Sequence, residues 1–354
     1  MILIPQRIYG RVLKTLYCWQ CDGGGIRGMI PARINYDLER FLKSYNLTQY
    51  DIFSYFYGTS TGAILAGMLA NGMKMYNGDG TGLWELYRYQ GAKLFKRTKL
   101  GRIPFLRPIA KNGAKYDRDS MFKVLKTYAG VKTLGDLKRN FVATAFNLSS
   151  KRTHFIESSK RLHQSFRLVD VISWSALSAA NYFGKILAPK YFWKQSYQVE
   201  PDFMAKGAVF NDGGQGTKNC TAADMVKTVL IGDQMAINAD RVVFLSFGCG
   251  EQLKYEPFDD VEGIGMVGQV KDYLGGQARN ESTWGSVNEA EFLCRKLGKM
   301  FGKEFVFKRY DAVISEKLDA LDALGYVPEF DDIGKKISPS LIQFMEQEQK
   351  TWIK

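Results

Sequence analysis

The sequence predicts an α/β fold whose mostly parallel sheet is covered on both faces, and three observations carry that reading. A β-rich run, TLYCWQ (15–20), enters the glycines of CDGGGIRG (21–28) and emerges in a helical pattern. The same unit of strand, glycine turn and helix recurs over residues 50–72 around GTSTG (58–62). Further candidate strands alternate with helical stretches as far as residue 248. That order favours right-handed crossovers and parallel pairing, with sites at the carboxyl ends of strands.

The elements follow in turn. After the first glycine turn, MIPARINYDLERFLKSYN (29–46) places Ile30, Ile34, Leu38, Phe41 and Leu42 at helical intervals. The second unit has an aromatic-rich strand and a helix of small and apolar residues that closes near Asn71 and Gly72. Strands are expected at 141–148, 153–158, 207–212 and 241–248, and helices at 83–95, 117–128, 168–180 and 219–231. Beyond residue 255, amphipathic stretches at 286–301, 311–324 and 337–350 predict a helical C-terminal part. There is no repeat, low-complexity tract or convincing linker. The chain therefore reads as a single domain over 1–354, with a core of about 15–250 and a helical extension of about 255–354 packed on it.

A chain of 354 residues with 45% hydrophobic and 24% charged content can bury a core without staples. Lys plus Arg at 49 against Asp plus Glu at 36 leaves +13, which favours anionic partners, although a merely basic solvated surface explains it equally well. The five cysteines, Cys18, Cys21, Cys220, Cys249 and Cys294, are odd in number and scattered, which fits a reducing compartment better than a disulfide scaffold. Cys18 and Cys21 form a CxxC on a strand, where positions three apart face opposite sides, so buried free thiols are expected rather than a redox pair. The N-terminus lacks a sustained apolar h-region, and no uncharged apolar stretch is long enough for a membrane span. A cytoplasmic protein with peripheral membrane association is the expectation.

GTSTG fits GxSxG. Ser60 would then sit on a sharp strand-to-helix turn that presents its hydroxyl, with Gly58 and Gly62 required where the two elements come close. A Ser that simply caps a helix is the plain alternative. It is compatible with catalysis, because the positive helix end also favours an alkoxide. Such a nucleophile needs a base. The two histidines are His154 and His163; neither follows Asp212, so the hydrolase order serine, acid, histidine is closed to that acid. A carboxylate held within hydrogen-bond reach can take the proton directly. Asp212, ending GAVF (207–210) ahead of Gly213 and Gly214, is the candidate, and an ordinary Asp-Gly turn is its other reading.

Gly23, Gly24 and Gly25 can adopt dihedrals that converge successive N–H groups on an oxyanion; each such donor is worth about 2.7 to 4 kcal/mol. Arg27 beside them suits a substrate phosphate or loop anchoring, with a surface salt bridge as the plain alternative. Gly23, Gly25 and Gly28 also fit the GxGxxG of a dinucleotide turn. In that reading Asp37, Glu39 and Asp51 are poorly placed to hold a ribose, and GTSTG is left without a role.

DGGGIRG (22–28), GTSTG (58–62) and DGG (212–214), in this order, resemble the three signature blocks of the patatin-like phospholipase family. SALSAANYF (175–183) resembles its Ser/Ala-rich segment before an aromatic pair, and LSFGCG (245–250) its strand ending in Ser-x-Gly-x-Gly. The likeness covers roughly residues 15–250. It implies a three-layer α/β/α sandwich, without metal or cofactor, and a lipid acyl hydrolase. In that hydrolase Ser60 attacks the acyl carbonyl, Asp212 is the base, and amides of Gly23, Gly24 and Gly25 form the oxyanion hole. Asn181 stands where the family usually has Pro, and Cys21 where an aliphatic residue is common, which bears on the shape of the acyl pocket and not on the Ser-Asp pair. Bacterial members of this compact type include anti-phage effectors switched on by cyclic nucleotides.

Basic charge is concentrated between Glu85 and Asp117, where no acid occurs. Arg88, Lys93, Lys96, Arg97, Lys99, Arg102, Arg107, Lys111 and Lys115 alternate there with apolar residues such as Phe95, Ile103 and Phe105. Such a segment suits docking on anionic lipid headgroups, a lid over the acyl site, an anionic-activator site, or a solvated loop. The expected partners are a phospholipid membrane surface, a small anionic activator such as a cyclic nucleotide, and a second copy of the chain, but not a nucleic-acid polymer. Two other classes of function compete: a nucleotide-binding regulatory module built on the glycine turn, and a catalytically silent membrane-binding protein.

Overall fold

The computed structural model describes residues 3–97, 117–147, 152–176, 186–188, 208–215, 238–251, 300–320 and 322–352, together with 292, 293 and 296. Its strands are β1 (Ile4–Ile8), β2 (Arg11–Cys21), β3 (Phe53–Thr59), β4 (Asn140–Asn147), β5 (Arg152–Glu157), β6 (Ile186–Ala188), β7 (Ala208–Asp212), β8 (Arg241–Phe247) and β9 (Glu304–Tyr310). They form one sheet in the order β6-β7-β4-β3-β2-β8-β9, with β1 paired to β2 and β5 to β4. The central five, β4-β3-β2-β8-β9, run parallel. β1, β5, β6 and β7 pair antiparallel around them, so the sheet as a whole is mixed.

Period-two alternation sorts the strand side chains into two cores. Tyr17, Trp19 and Cys21 of β2 join one apolar cluster, and Leu16 and Cys18 the other. Cys18 and Cys21 are thus buried thiols, outside any disulfide, on opposite faces. Burial, then a contact with the Cys249 thiol, pushes Cys21 well above the ordinary thiol range.

The helices are α1 (Met29–Lys43), α2 (Gln49–Ile52), α3 (Thr61–Ala70), α4 (Leu83–Leu94), α5 (Arg118–Ala129), α6 (Leu168–Ala176) and α7 (Val327–Gln349). Ile34, Leu65, Ile172 and Leu341, from α1, α3, α6 and α7, pack on the Trp19 face. Leu293, in a helical stretch, packs on the Leu16 face. Helices therefore flank the sheet on both sides. α3, apolar all round, is buried at every position and fixes where its first residue meets the strand ends. No helix among the described residues is long and apolar enough to cross a membrane.

The C-terminal part departs from the expected mainly helical stretch. EFVFKRY forms β9, a parallel edge strand on β8. The described residues of the stretch 311–324, expected to be a helix, are irregular chain with short 3-10 turns. There Ile314 and Leu318 are buried, Asp319 pairs with Arg27, and Asp322 pairs with Arg97; these tertiary contacts override the helical periodicity. α7 begins ten residues before the expected 337 and runs through Pro339. The expected helix at 219–231, most of that at 286–301, Asn181, and residues 98–116 of the basic segment lie outside the described residues.

α7 packs along α1 and closes a polar cluster at the amino ends of the strands. Glu348 accepts from Tyr17 Oη (2.5 Å) and Gln6 Nε2 (3.0 Å), and its two oxygens take Arg241 at 2.6 and 2.9 Å. Burial alone would raise the Glu348 carboxyl, but the bonds from Arg241, Gln6 and Tyr17 outweigh it and hold the group below its ordinary value.

Candidate active site

β3 ends at Thr59 and the chain turns at once into α3. Ser60, at the turn, has φ 55° and ψ −120°, a conformation unfavourable for any residue with a side chain. Its surroundings enforce it. The Ser60 N–H donates to the buried Ser175 Oγ (2.9 Å), and the Ser60 carbonyl accepts from Ala63 N (2.9 Å) and Ile64 N (3.2 Å). The neighbouring Thr61 hydroxyl is bonded to Tyr87 Oη. A Cβ at Gly62 would overlap the Cys21 carbonyl, and one at Gly58 would overlap the Gly62 backbone. Both glycines of GxSxG are therefore steric requirements of helix lying against strand.

β2 delivers the glycine turn to the same place. Asp22, Gly23 and Gly24 lead from Cys21 into a 3-10 turn at Gly25–Gly28 and then α1, with Gly25 in the left-handed region at φ +60°. A Cβ on Gly23 would sit 3.1 Å from the Ser60 Cβ, so turn and serine are in contact. Gly24 is pressed against Cys249. Arg27 is 4% exposed. Its Nε donates to Gly24 O (3.3 Å), and its Nη1 to Gly250 O (3.1 Å) and Asp319 Oδ1 (2.5 Å).

Asp212 reaches this point by register. β4 carries β5 on one edge, where Thr144 pairs with Phe155 and Ala145 with His154. On its other edge Thr144 pairs with Thr59 of β3, and the next residue, Ala145, pairs with Asp212 of β7. β3 and β7 thus run toward each other along one edge and meet. Asp212 takes the ladder position that residue 60 would occupy had β3 continued, and the turn at Ser60 leaves it clear. The Thr59 and Thr144 hydroxyls are bonded at 2.7 Å. Asp212 Oδ1 accepts from Gly214 N (2.8 Å), and Gly213 packs on Thr144.

The histidines occupy other places. His154 lies across β4 from Asp212, packed edge-on against Phe210 and within 3.3 Å of Asn147 Nδ2. His163 accepts from Glu157 N through Nδ1 (3.0 Å). Asp22, Glu251 and Asp311 bring carboxylate oxygens within 4.8 Å of one another, an arrangement that could hold a cation. Arg309 supplies one, ion-paired at 2.6, 3.6 and 2.5 Å respectively.

The residues singled out from sequence divide accordingly. Ser60, Gly23, Gly24, Gly25, Gly58 and Gly62 converge at the ends of β2 and β3, Asp212 arrives beside them along β4, and Arg27 sits behind the glycine turn. Sequence reasoning passed over Ser175, which holds the Ser60 N–H, and Arg309, which pairs with Asp22. SALSAANYF signalled the first as part of a block, without a role; nothing local distinguishes Arg309 among the basic residues around it.

The sequence profile described as Patatin-like phospholipase matches residues 21–221, more than half of the chain. The cGAMP-activated phospholipase of Pseudomonas aeruginosa is 29% identical over 207 residues, 57% of this chain and 53% of that protein. Patatin-like protein 2 of Oryza sativa, in both subspecies, is 26% identical over 263 residues, 67% of this chain and 62% of its own length. The matches thus span between about half and three fifths of these curated relatives. Among solved structures, VipD from Legionella pneumophila aligns over 95% of this chain and 70% of its own, with a TM-score of 0.40 and 12% identity. The profile match takes in the glycine turn, Ser60 and Asp212, and the chain belongs to the patatin-like phospholipase family, whose members are hydrolases of lipid esters.

Proposed function

We propose that the chain cleaves fatty-acyl esters of membrane glycerophospholipids through a Ser60-Asp212 dyad and an acyl-enzyme. One observation carries the proposal: successive residues of β4 pair with Thr59 and Asp212, so the hydroxyl after one and the carboxylate of the other share a single strand edge. In the first step Asp212 takes the Ser60 proton as Oγ bonds to the acyl carbonyl carbon. The oxyanion is received by N–H groups of Gly23, Gly24 and Gly25. Collapse breaks the ester bond, and the departing alkoxide takes the proton from Asp212. Water, deprotonated by the same carboxylate, then releases the fatty acid and restores Ser60. Arg27 serves as loop anchor in this scheme: it is buried, and its Nε and Nη1 donate to Gly24 O, Gly250 O and Asp319.

Substrate requires a bilayer surface, and the basic segment after Glu85 is the part we assign to it, in keeping with +13 overall. The 29% identical relative is described as cGAMP-activated, which supports a second element: control by a cyclic nucleotide, as in an antiviral effector. Activity measured with and without cGAMP tests that element separately.

The dyad is tested with a fluorophosphonate probe and defined mixed-chain phospholipids. Wild type is expected to label and to release fatty acid; Ser60→Ala is expected to abolish labelling and lower kcat by about ten-thousand-fold or more. Labelling that survives in Ser60→Ala would refute the assignment.

A further inference from the structure

The sheet face beneath the glycine turn ends in a polar row. Along that face Leu16 and Cys18, Val242 and Phe244, and Phe305 and Phe307 are apolar, and the next alternate positions are Gln20, Ser246 and Arg309. Register sets these side by side on β2, β8 and β9, Gln20 opposite Ser246 and Ser246 opposite Arg309. With Asp22 they close a ring. Arg309 Nη1 donates to Ser246 Oγ (2.9 Å), Ser246 Oγ to Gln20 Oε1 (2.6 Å), Gln20 Nε2 to Asp22 Oδ1 (2.9 Å), and Arg309 Nη2 to Asp22 Oδ2 (2.6 Å). Gln20, Asp22 and Ser246 are all fully buried.

Asp22 immediately precedes Gly23. Its N–H donates to Phe247 O (3.0 Å) and its carbonyl accepts from Cys249 Sγ (3.3 Å), while the ring takes up both carboxylate oxygens. Rotation of the peptide that leads into the glycines is therefore opposed by bonds at the Asp22 N–H, carbonyl and side chain. The ring's cation is Arg309, held also by Asp311. Burial works against its charge, but Asp22, Asp311 and Glu251 more than offset that and keep it ionised. In a buried setting each bond of such a ring reinforces the next.

We infer that Arg309 is a positioning residue for the glycine turn: by closing the ring on Asp22 it aims the N–H groups of Gly23, Gly24 and Gly25 at the carbonyl carried over Ser60. The inference rests on the assignment of Ser60 and the turn made above. It gives β9, beyond the family-matched residues 21–221, a part in the chemistry. Arg309 itself touches no reacting atom.

The test compares wild type, Arg309→Met, Arg309→Lys and Ser246→Ala, each checked for folding by circular dichroism and melting. The readouts are kcat and KM on a soluble p-nitrophenyl ester and the rate of fluorophosphonate labelling. Displaced donors weaken the transition state more than ester binding, so kcat and labelling should fall about 100-fold in Arg309→Met and about 10-fold in Arg309→Lys, with KM within about threefold. Ser246→Ala cuts the ring but leaves the Arg309 to Asp22 pair, and a fall of about threefold in kcat alone is expected. Should Arg309→Met not fold, Arg309→Lys and Ser246→Ala decide the matter. A folded Arg309→Lys with wild-type kcat overturns the proposal, and so does a rise in KM at constant kcat. A wild type that labels neither with nor without cGAMP overturns the Ser60 assignment, and the proposal with it.

Discussion

The two ends of the central strands are built from similar parts to different effect. At the amino ends Arg241, buried, is taken by Glu348 and Glu304, and Gln6 and Tyr17 complete a cluster that joins β1, β2, β8, β9 and α7. At the carboxyl ends Arg309 is taken by Asp22, Asp311 and Glu251. Around Arg241 the backbone is relaxed ladder, Thr15 paired with Arg241 and Arg241 with Glu304. Around Arg309 it breaks into turns, with Ser60 at φ 55°, Gly25 at +60° and Gly250 at +81°. The same device stands at both ends. Removing one partner of either buried pair leaves the other charge poorly compensated, and under the proposal made for Arg309 the pair at the strained end has a second use, holding the glycine turn.

Substitutions at the two ends should separate these uses. The largest effect is expected from Gly62→Ala at the strained end. Its methyl would overlap the Cys21 carbonyl, pushing α3 off β2 and moving Ser60, for a loss of about 100-fold or more in kcat and about 3 kcal/mol of stability. Steady-state kinetics and urea unfolding would show both; an active Gly62→Ala would mean the contact is not required.

At the relaxed end Glu348→Ala takes from Arg241 its buried two-oxygen partner, leaving it the half-exposed Glu304, and should cost about 3 kcal/mol in unfolding experiments while leaving kcat of the folded protein within about twofold. This end also carries a pH signature. The Glu348 pKa is depressed in the folded state, so its contribution is present above the unfolded carboxylate pKa of about 4.3 and fades as pH falls through the lower folded value. The stability gap between wild type and Glu348→Gln should accordingly narrow on acidification below that pH; a gap that does not change with pH would contradict the pairing.

The smallest effect on stability has the opposite sign. Ser60→Gly removes the side chain from a positive-φ position and should raise stability by about 1 kcal/mol while abolishing labelling. A Ser60→Gly protein no more stable than wild type would show that the turn stores no strain.

Legibility in the sequence followed the same division. The two strand, glycine turn and helix units were plain because each packs a period-two run, a glycine turn and a period-3.6 run into a short stretch of chain, and β2, β3, α1 and α3 lie where those patterns place them. Ser60 and the glycines could be read for the same reason: each residue's reason to be there is local. β1 escaped notice because IPQRI carries a proline and two polar residues and gains strand character only by pairing with β2. β9 was hidden in a stretch with helical patterns on either side. The helix expected at 311–324 had real periodicity, yet Asp319 and Asp322 are drawn to Arg27 and Arg97, partners more than two hundred residues away that no local window contains. Arg309 was unreadable for that reason too, since its significance lies in alignment with Ser246 and Gln20 on separate strands.

β4 lends no reactive group to the proposed chemistry, yet it works as a vernier for it. Two consecutive marks, Thr144 and Ala145, decide where Thr59 stops and where Asp212 stops. Slipping β7 by a single notch along that scale would turn the carboxylate to the other side of the pleat. Under the proposed dyad, insertions between the paired strands leave the scale untouched, whereas deletion of one residue within β7 miscounts it and should abolish activity without disturbing either motif.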